Sequence, residues 1–249
     1  MGGHLLDAGR PLAVYDVAAD ACAPLAERGA TGCASPAEVA ARSDVVLVVV
    51  VDDEQTRAAV TSALEQARVG TVIALCASIR PDTCAELERA GRERGVSVVD
   101  AALVRGERGA EEGQLVLYCG GDASAIATLE QACAPFTEAV VRVGGIGAGQ
   151  VAKTANNILL WANLRADVEA LRLGRALGVE PAALREAMAI GSGANRPLEE
   201  WGKHRLRWPH KDLEVAIGLA REAGVDTPLV AALPALLEEL SVSDLADLG

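Results

Sequence analysis

This sequence has little positive charge. Its 249 residues carry 35 acids against 23 bases, a formal net charge of -12, so it offers no basic footprint for nucleic acid or an anionic membrane surface. Small molecules and proteins remain as partners. Lysine is scarcer still, with three (153, 203 and 211) among twenty arginines. The six cysteines show no C-x-x-C spacing and sit mostly among alanine, valine and leucine, which reads as reduced, buried thiols in a cytoplasmic protein and not as a disulfide frame. No basic start leads into a long apolar run, so no signal peptide is expected. No window reaches the ~18–20 apolar residues of a membrane span. Leu6 stands where a myristoylation signal needs serine or threonine. What is present is 51% apolar composition, enough for one large core or two modest ones.

The first half of the chain alternates. A short apolar run at 12–15 precedes a helix-forming stretch at 17–29. Ser35 and Pro36 read as the cap and first residue of a helix, and VVLVVVV at 45–51 is dense enough in β-branched residues for a strand covered on both faces. Helices at 53–67, 81–94 and 122–134 alternate with strands at 71–75, 96–99, 114–119 and 138–143, with a glycine-rich segment before 114. Strands alternating with helices predict a doubly wound parallel sheet. After Gly149 the strand signals stop, and helical stretches follow at 149–177, 181–189, 209–223 and 229–240. The spacing therefore predicts an α/β domain over 1–146 and an all-α domain over 147–249, and clefts between such domains are favoured small-molecule sites.

At the junction stands GGIGAGQVAKTANN, residues 144–157. On a helix Gly149, Lys153, Asn156 and Asn157 fall at i, i+4, i+7 and i+8, which is one face. A lysine kept in so arginine-rich a chain points to ammonium chemistry, because guanidinium does not give up its proton near neutrality.

These residues closely resemble the interdomain helix of the β-hydroxyacid dehydrogenases, the group with 3-hydroxyisobutyrate and 6-phosphogluconate dehydrogenases. Further matches follow the same order: GRPLAVYD (9–16), SPAEVAARSDVVLVVVVDD (35–53), SIRPDT (78–83), VSVVDA (96–101), GAEEGQL (109–115), GGDASA (120–125) and KDLEVAIGLAREAGVDTPL (211–229). The resemblance implies a Rossmann-like domain followed by a helical one, NAD or NADP as cofactor, and oxidation of a small hydroxyacid or related carbonyl compound by a homodimer or higher homo-oligomer. It implies Lys153 as general acid/base and Asn157, Asn156 and Gly149 at the substrate. Ser78 and Lys211 would meet the cofactor. Asp16, at a strand end, would accept from the ribose hydroxyls and weakly favour NAD. Imine reductases share this architecture, but commonly carry another residue where Lys153 stands.

Three places depart from the family pattern. No G-x-G-x-x-G precedes Asp16; Gly2 is fourteen residues upstream of it, against ~20 expected, so the sheet is expected to lack its first strand and the pyrophosphate its amide cradle. At 100–106, DAALVRG stands where relatives read D-A-P-V-S-G-G, which replaces the carboxylate-cradling serine and first glycine with Val104 and Arg105. Arg105, beside Gly106, could itself take a substrate carboxylate as a bidentate partner. Third, WGKHRLRWPH (201–210) reads as a packed short loop or as a recognition surface. The missing fingerprint leaves an alternative: a non-redox enzyme or ligand-binding relative that keeps the lysine cleft without a dinucleotide.

Overall fold

The computed structural model describes residues 1–203, 206 and 209–249. The tryptophan-and-arginine segment falls partly beyond them, with His204, Arg205, Arg207 and Trp208 outside the described residues. The chain folds as two compact units, Met1–Lys153 and Thr154–Gly249.

The first unit runs α1 (Gly2–Asp7), β1 (Ala13–Val14), α2 (Ala19–Ala26), β2 (Thr31–Gly32), α3 (Pro36–Arg42), β3 (Val45–Val48), α4 (Asp53–Gln66), β4 (Val72–Leu75), α5 (Pro81–Arg92), β5 (Ser97–Val104), α6 (Gly106–Glu112), β6 (Leu115–Gly120), α7 (Ala123–Cys133) and β7 (Thr137–Gly144). Helix starts follow their capping chemistry. Ser35 accepts from the Glu38 amide with Pro36 in the first turn, Asp52 accepts from Gln55, and Asp122 accepts from Ser124 and Ala125. Strands β3 to β7 form one sheet in that order, while β1 and β2 pair in a separate two-stranded sheet. Apolar side chains cover both faces. Val46, Val48, Ile73 and Leu75 pack with Val60, Leu64 and Leu87 on one side, and Val99, Leu115 and Leu117 pack with Ile126, Leu129 and Phe136 on the other. Each fully buried large side chain contributes roughly 1.5–3 kcal/mol.

The sheet is parallel at β3–β4, β4–β5 and β6–β7, but β5 and β6 are antiparallel. The physical reason is the connection. Residues 105–114, with the short α6, turn the chain straight back, whereas a parallel return needs a crossover of about a dozen residues or more. The 45–51 run is also shorter as a strand than its composition suggests. Strand β3 ends at Val48, and Val49 and Val51 are exposed.

Helix α8 (Ala148–Ala176) begins in the first unit and continues into the second, followed by α9 (Pro181–Ala189), α10 (Arg196–Glu199), α11 (Pro209–Ala223), α12 (Pro228–Glu238) and α13 (Val242–Asp247). Trp161, Leu164, Val168 and Leu171 form an apolar stripe at helical spacing and pack on Leu213, Leu233, Leu237 and Leu245. The six cysteines are free thiols, four of them buried. No described helix is long and apolar enough to cross a membrane.

Asp167 interrupts this second core. It is 3% exposed; Oδ1 accepts from Asn195 Nδ2 at 2.9 Å, and Oδ2 has no partner among the described residues. Burial pushes its carboxyl up from the ordinary range, against the pull of the Asn195 bond. A raised folded-state value means that stability present at low pH is lost as pH rises through that value. Asp167→Asn is therefore expected to melt higher than the parent at pH 7, with the gain shrinking as pH falls toward ~4. Thermal unfolding across pH 4–8 tests this, and a difference independent of pH would contradict it.

Candidate active site

The start of α8 is built around Asp100, in the middle of β5 and fully buried. Its Oδ1 accepts from the Gly147 amide at 2.6 Å and its Oδ2 from the Gln150 amide at 3.0 Å. These are N-terminal helix donors that would otherwise lack partners. Burial raises the Asp100 carboxyl, and the amides of Gly147, Gln150 and Gly149 oppose the rise. Two glycines permit the approach. A Cβ on Gly149 would collide with the Tyr118 carbonyl and the Asp100 carboxylate, and one on Gly120 with Asp100, the Gly145 carbonyl and the Ala148 amide. Gly149 thus lies against β6, and that packing by itself requires glycine there.

Lys153 stands one turn beyond Gly149 and is partly buried. On the same helix Asn156 is partly buried and donates to Asn157 Oδ1 at 3.4 Å; Asn157 is 6% exposed. Gln150, which sequence reasoning missed, is buried and bonds to Ala77 and Ile79, the neighbours of Ser78. Ser78 itself is exposed on the loop after β4. Asp100 was also legible only as part of a family motif, because its role depends on contacts 47 and 50 residues away in the chain.

The other expected residues stand on other elements or have partners of their own. Asp16 is exposed just after β1, and its Oδ1 accepts from the Ala18 amide at 2.8 Å, an Asx-type turn. Lys211 is exposed in the first turn of α11, in the second unit, where neighbouring Asp212 accepts from Trp161 Nε1 at 3.1 Å. Arg105 departs most from expectation. Its guanidinium grips both carboxylate oxygens of Glu138 on β7, so the bidentate partner is internal and a substrate carboxylate would have to displace it. Its φ of 81° lies in the left-handed region, with Gly106 following at 60°. An arginine in that conformation costs roughly 1–2 kcal/mol that glycine would not, and the Glu138 pair offsets part of it.

A dinucleotide fits what the first unit offers at its strand ends. Ligands of open α/β sheets bind beyond the carboxyl ends of parallel strands. There the chain exposes Tyr15, Asp16 and Val17 after β1, Val49 and Val51 after β3, and Ser78 after β4. Apolar surface, a carboxylate and a hydroxyl are thus the groups exposed at these strand ends.

Comparison with known proteins agrees. Residues 1–145 match the family model of the NAD binding domain of 6-phosphogluconate dehydrogenase, and residues 147–249 match the model described as NAD-binding of NADP-dependent 3-hydroxyisobutyrate dehydrogenase. An uncharacterized oxidoreductase of Mycobacterium tuberculosis is 30% identical over 92% of this chain and 84% of its own length. The 3-hydroxyisobutyrate dehydrogenase of Pseudomonas aeruginosa is 29% identical over 92% and 84%. In fold, the chain is similar to the 3-hydroxyisobutyrate dehydrogenase of M. tuberculosis solved with L-serine, with a TM-score of 0.87 at 23% identity, covering 99% of this chain and 94% of that one.

The packing at Gly149 has a measurable sign. Glycine to alanine inside an ordinary helix stabilises by roughly 0.5–1 kcal/mol. Here Gly149→Ala is expected to destabilise by about 1–3 kcal/mol in urea denaturation, because the new methyl overpacks against β6; a stabilised variant would contradict the packing described.

Proposed function

The chain belongs to the β-hydroxyacid dehydrogenase family, and from that premise we propose that it is an NAD(P)-dependent oxidoreductase of small hydroxyacids in which Lys153 handles the proton. The observation that carries the reading is the buried Asp100 carboxylate, which holds the opening of α8, the turn before Lys153. When bound, the dinucleotide accepts or supplies the hydride. The amine of Lys153 takes the substrate's hydroxyl proton as the carbonyl forms and returns it in the reverse direction. Asn157, one turn further along α8, orients the substrate, with Asn156 beside it. Ser78 and Asp16 are assigned to the dinucleotide, the carboxylate favouring NAD; the assignment of Lys211 rests on the family resemblance alone.

The substrate class follows from the relatives and from the second departure. Beta-hydroxyacids such as 3-hydroxyisobutyrate and L-serine are the first to assay, since relatives act on or were solved with them. The Arg105–Glu138 pair supports a preference that differs from theirs, because the position that cradles a carboxylate in the family's motif already holds a charge pair.

Two linked measurements test the proposal. Calorimetric titration with NADH and NADPH is expected to give saturable binding, tighter for NADH, and absence of binding at millimolar concentration would contradict the oxidoreductase reading. Folded Lys153→Ala is expected to keep that binding and lose turnover by roughly 10²–10⁴-fold, the range for a general acid/base. Full turnover in the variant would remove the lysine from the mechanism.

A further inference from the structure

Gln150 bonds in two directions. Its backbone N–H is held by Asp100 Oδ2 at 3.0 Å, and its buried side chain reaches the loop after β4. There Nε2 donates to the Ala77 carbonyl at 2.8 Å, and Oε1 accepts from the Ile79 amide at 3.3 Å. The two partners flank Ser78. A side-chain amide that donates to one and accepts from the other copies the pattern of a peptide group, so it sets the direction of the loop as well as its distance.

The same loop is gripped from the opposite end. Asp53 Oδ1, at the start of α4, accepts from the Arg80 amide at 3.1 Å and from Thr83 Oγ1 at 2.5 Å. Of the two grips, that of Gln150 comes from the helix that carries Lys153, three residues further on. Ser78 is exposed, while Ala77 and Ile79 on either side of it are buried. The loop therefore presents one hydroxyl from a tethered backbone.

We propose that Gln150 is a positioning residue that couples the Ser78 loop to Lys153, so that the group beside the hydride carrier and the group that moves the proton keep a fixed separation. The inference rests on the function proposed above. In the reaction, hydride leaves carbon while the proton leaves the oxygen bonded to it. The two acceptors must therefore reach two bonded atoms of the substrate at once, which fixes their positions relative to each other. Loss of the amide bridge leaves each group in place on its own element but frees one to drift against the other, and a displacement of about 1 Å costs on the order of a hundredfold in rate.

Gln150→Leu keeps the bulk and removes both bonds; Gln150→Glu keeps an acceptor for Ile79 and sets a carboxylate oxygen against the Ala77 carbonyl. Hydrogen exchange read by mass spectrometry is the first readout, and it needs neither cofactor nor substrate. Gln150→Leu is expected to speed exchange in a peptide covering 76–82 while the first turn of α8, still held by Asp100, keeps its protection. Unchanged protection of 76–82, or equal loosening of both segments, would overturn the coupling.

The second readout is turnover of L-serine or 3-hydroxyisobutyrate deuterated at the hydride-donating carbon. Turnover in Gln150→Leu is expected to fall by roughly ten- to a hundredfold, with KM for the dinucleotide little changed and the isotope effect on kcat enlarged. Gln150→Glu is expected to fall between Gln150→Leu and the parent. A merely structural role would lower kcat in proportion to the folded fraction and leave the isotope effect at the parent value, and that result would overturn the proposal. Lys153→Ala separates the two claims. If it turns over normally the acid/base reading fails; if it is inactive while Gln150→Leu is unimpaired, the coupling alone fails.

Discussion

The structure of the first unit depends on one carboxylate in the middle of the sheet. Asp100 sits fully buried on β5, and the amides of Gly147 and Gln150 offset part of the cost of taking its charge from water. Everything nearby conforms to that contact. Gly120 and Gly149 can carry no side chain without entering it, and the neighbouring Cys119 thiol is pushed up to about 12 by burial and by the Asp100 charge. A thiol so raised stays neutral and unreactive. The clasp thus joins β5, the end of β6 and the start of α8, one turn before Lys153.

Much of this was legible in the sequence because it depends on neighbours along the chain. Ser35 and Pro36 announce α3 by capping chemistry, and α9 and α11 begin and end where their prolines and glycines predict. The periodic spacing of Gly149, Lys153 and Asn157 and the ordered family motifs were readable for the same reason. What was not legible depends on partners far away in sequence. The reversal of β6 against β5 follows from how α6 turns. The two-residue β2 has no apolar pattern to announce it, and α6 reads as a glycine-rich loop. Gly149 was legible as a position of the family motif, whereas its packing against the Tyr118 carbonyl depends on a strand far back in the chain. Arg105 looked available, and Glu138, 33 residues later, takes it.

The arrangement also says where the chain has latitude. Exposed residues follow β1 at 15–17, β3 at 49 and 51 and β4 at 78, while β3 and β4 themselves are packed in the core. Binding surface can vary there without disturbing the core, as open α/β sheets allow. The start of α8 has no such freedom, because Asp100, Gln150 and two glycines are interlocked there. The function proposed above assigns variation in substrate to Val104 and Arg105, where Arg105 is already paired with Glu138.

The most direct measurement is a crystal structure of the chain with NAD(P)⁺ and L-serine or 3-hydroxyisobutyrate. The account predicts Lys153 Nζ within hydrogen-bond reach, about 3 Å, of the substrate hydroxyl, with both Asp100 oxygens still holding the amides of Gly147 and Gln150. A substrate bound with its hydroxyl away from Lys153, or an α8 start detached from Asp100 in the complex, would contradict it.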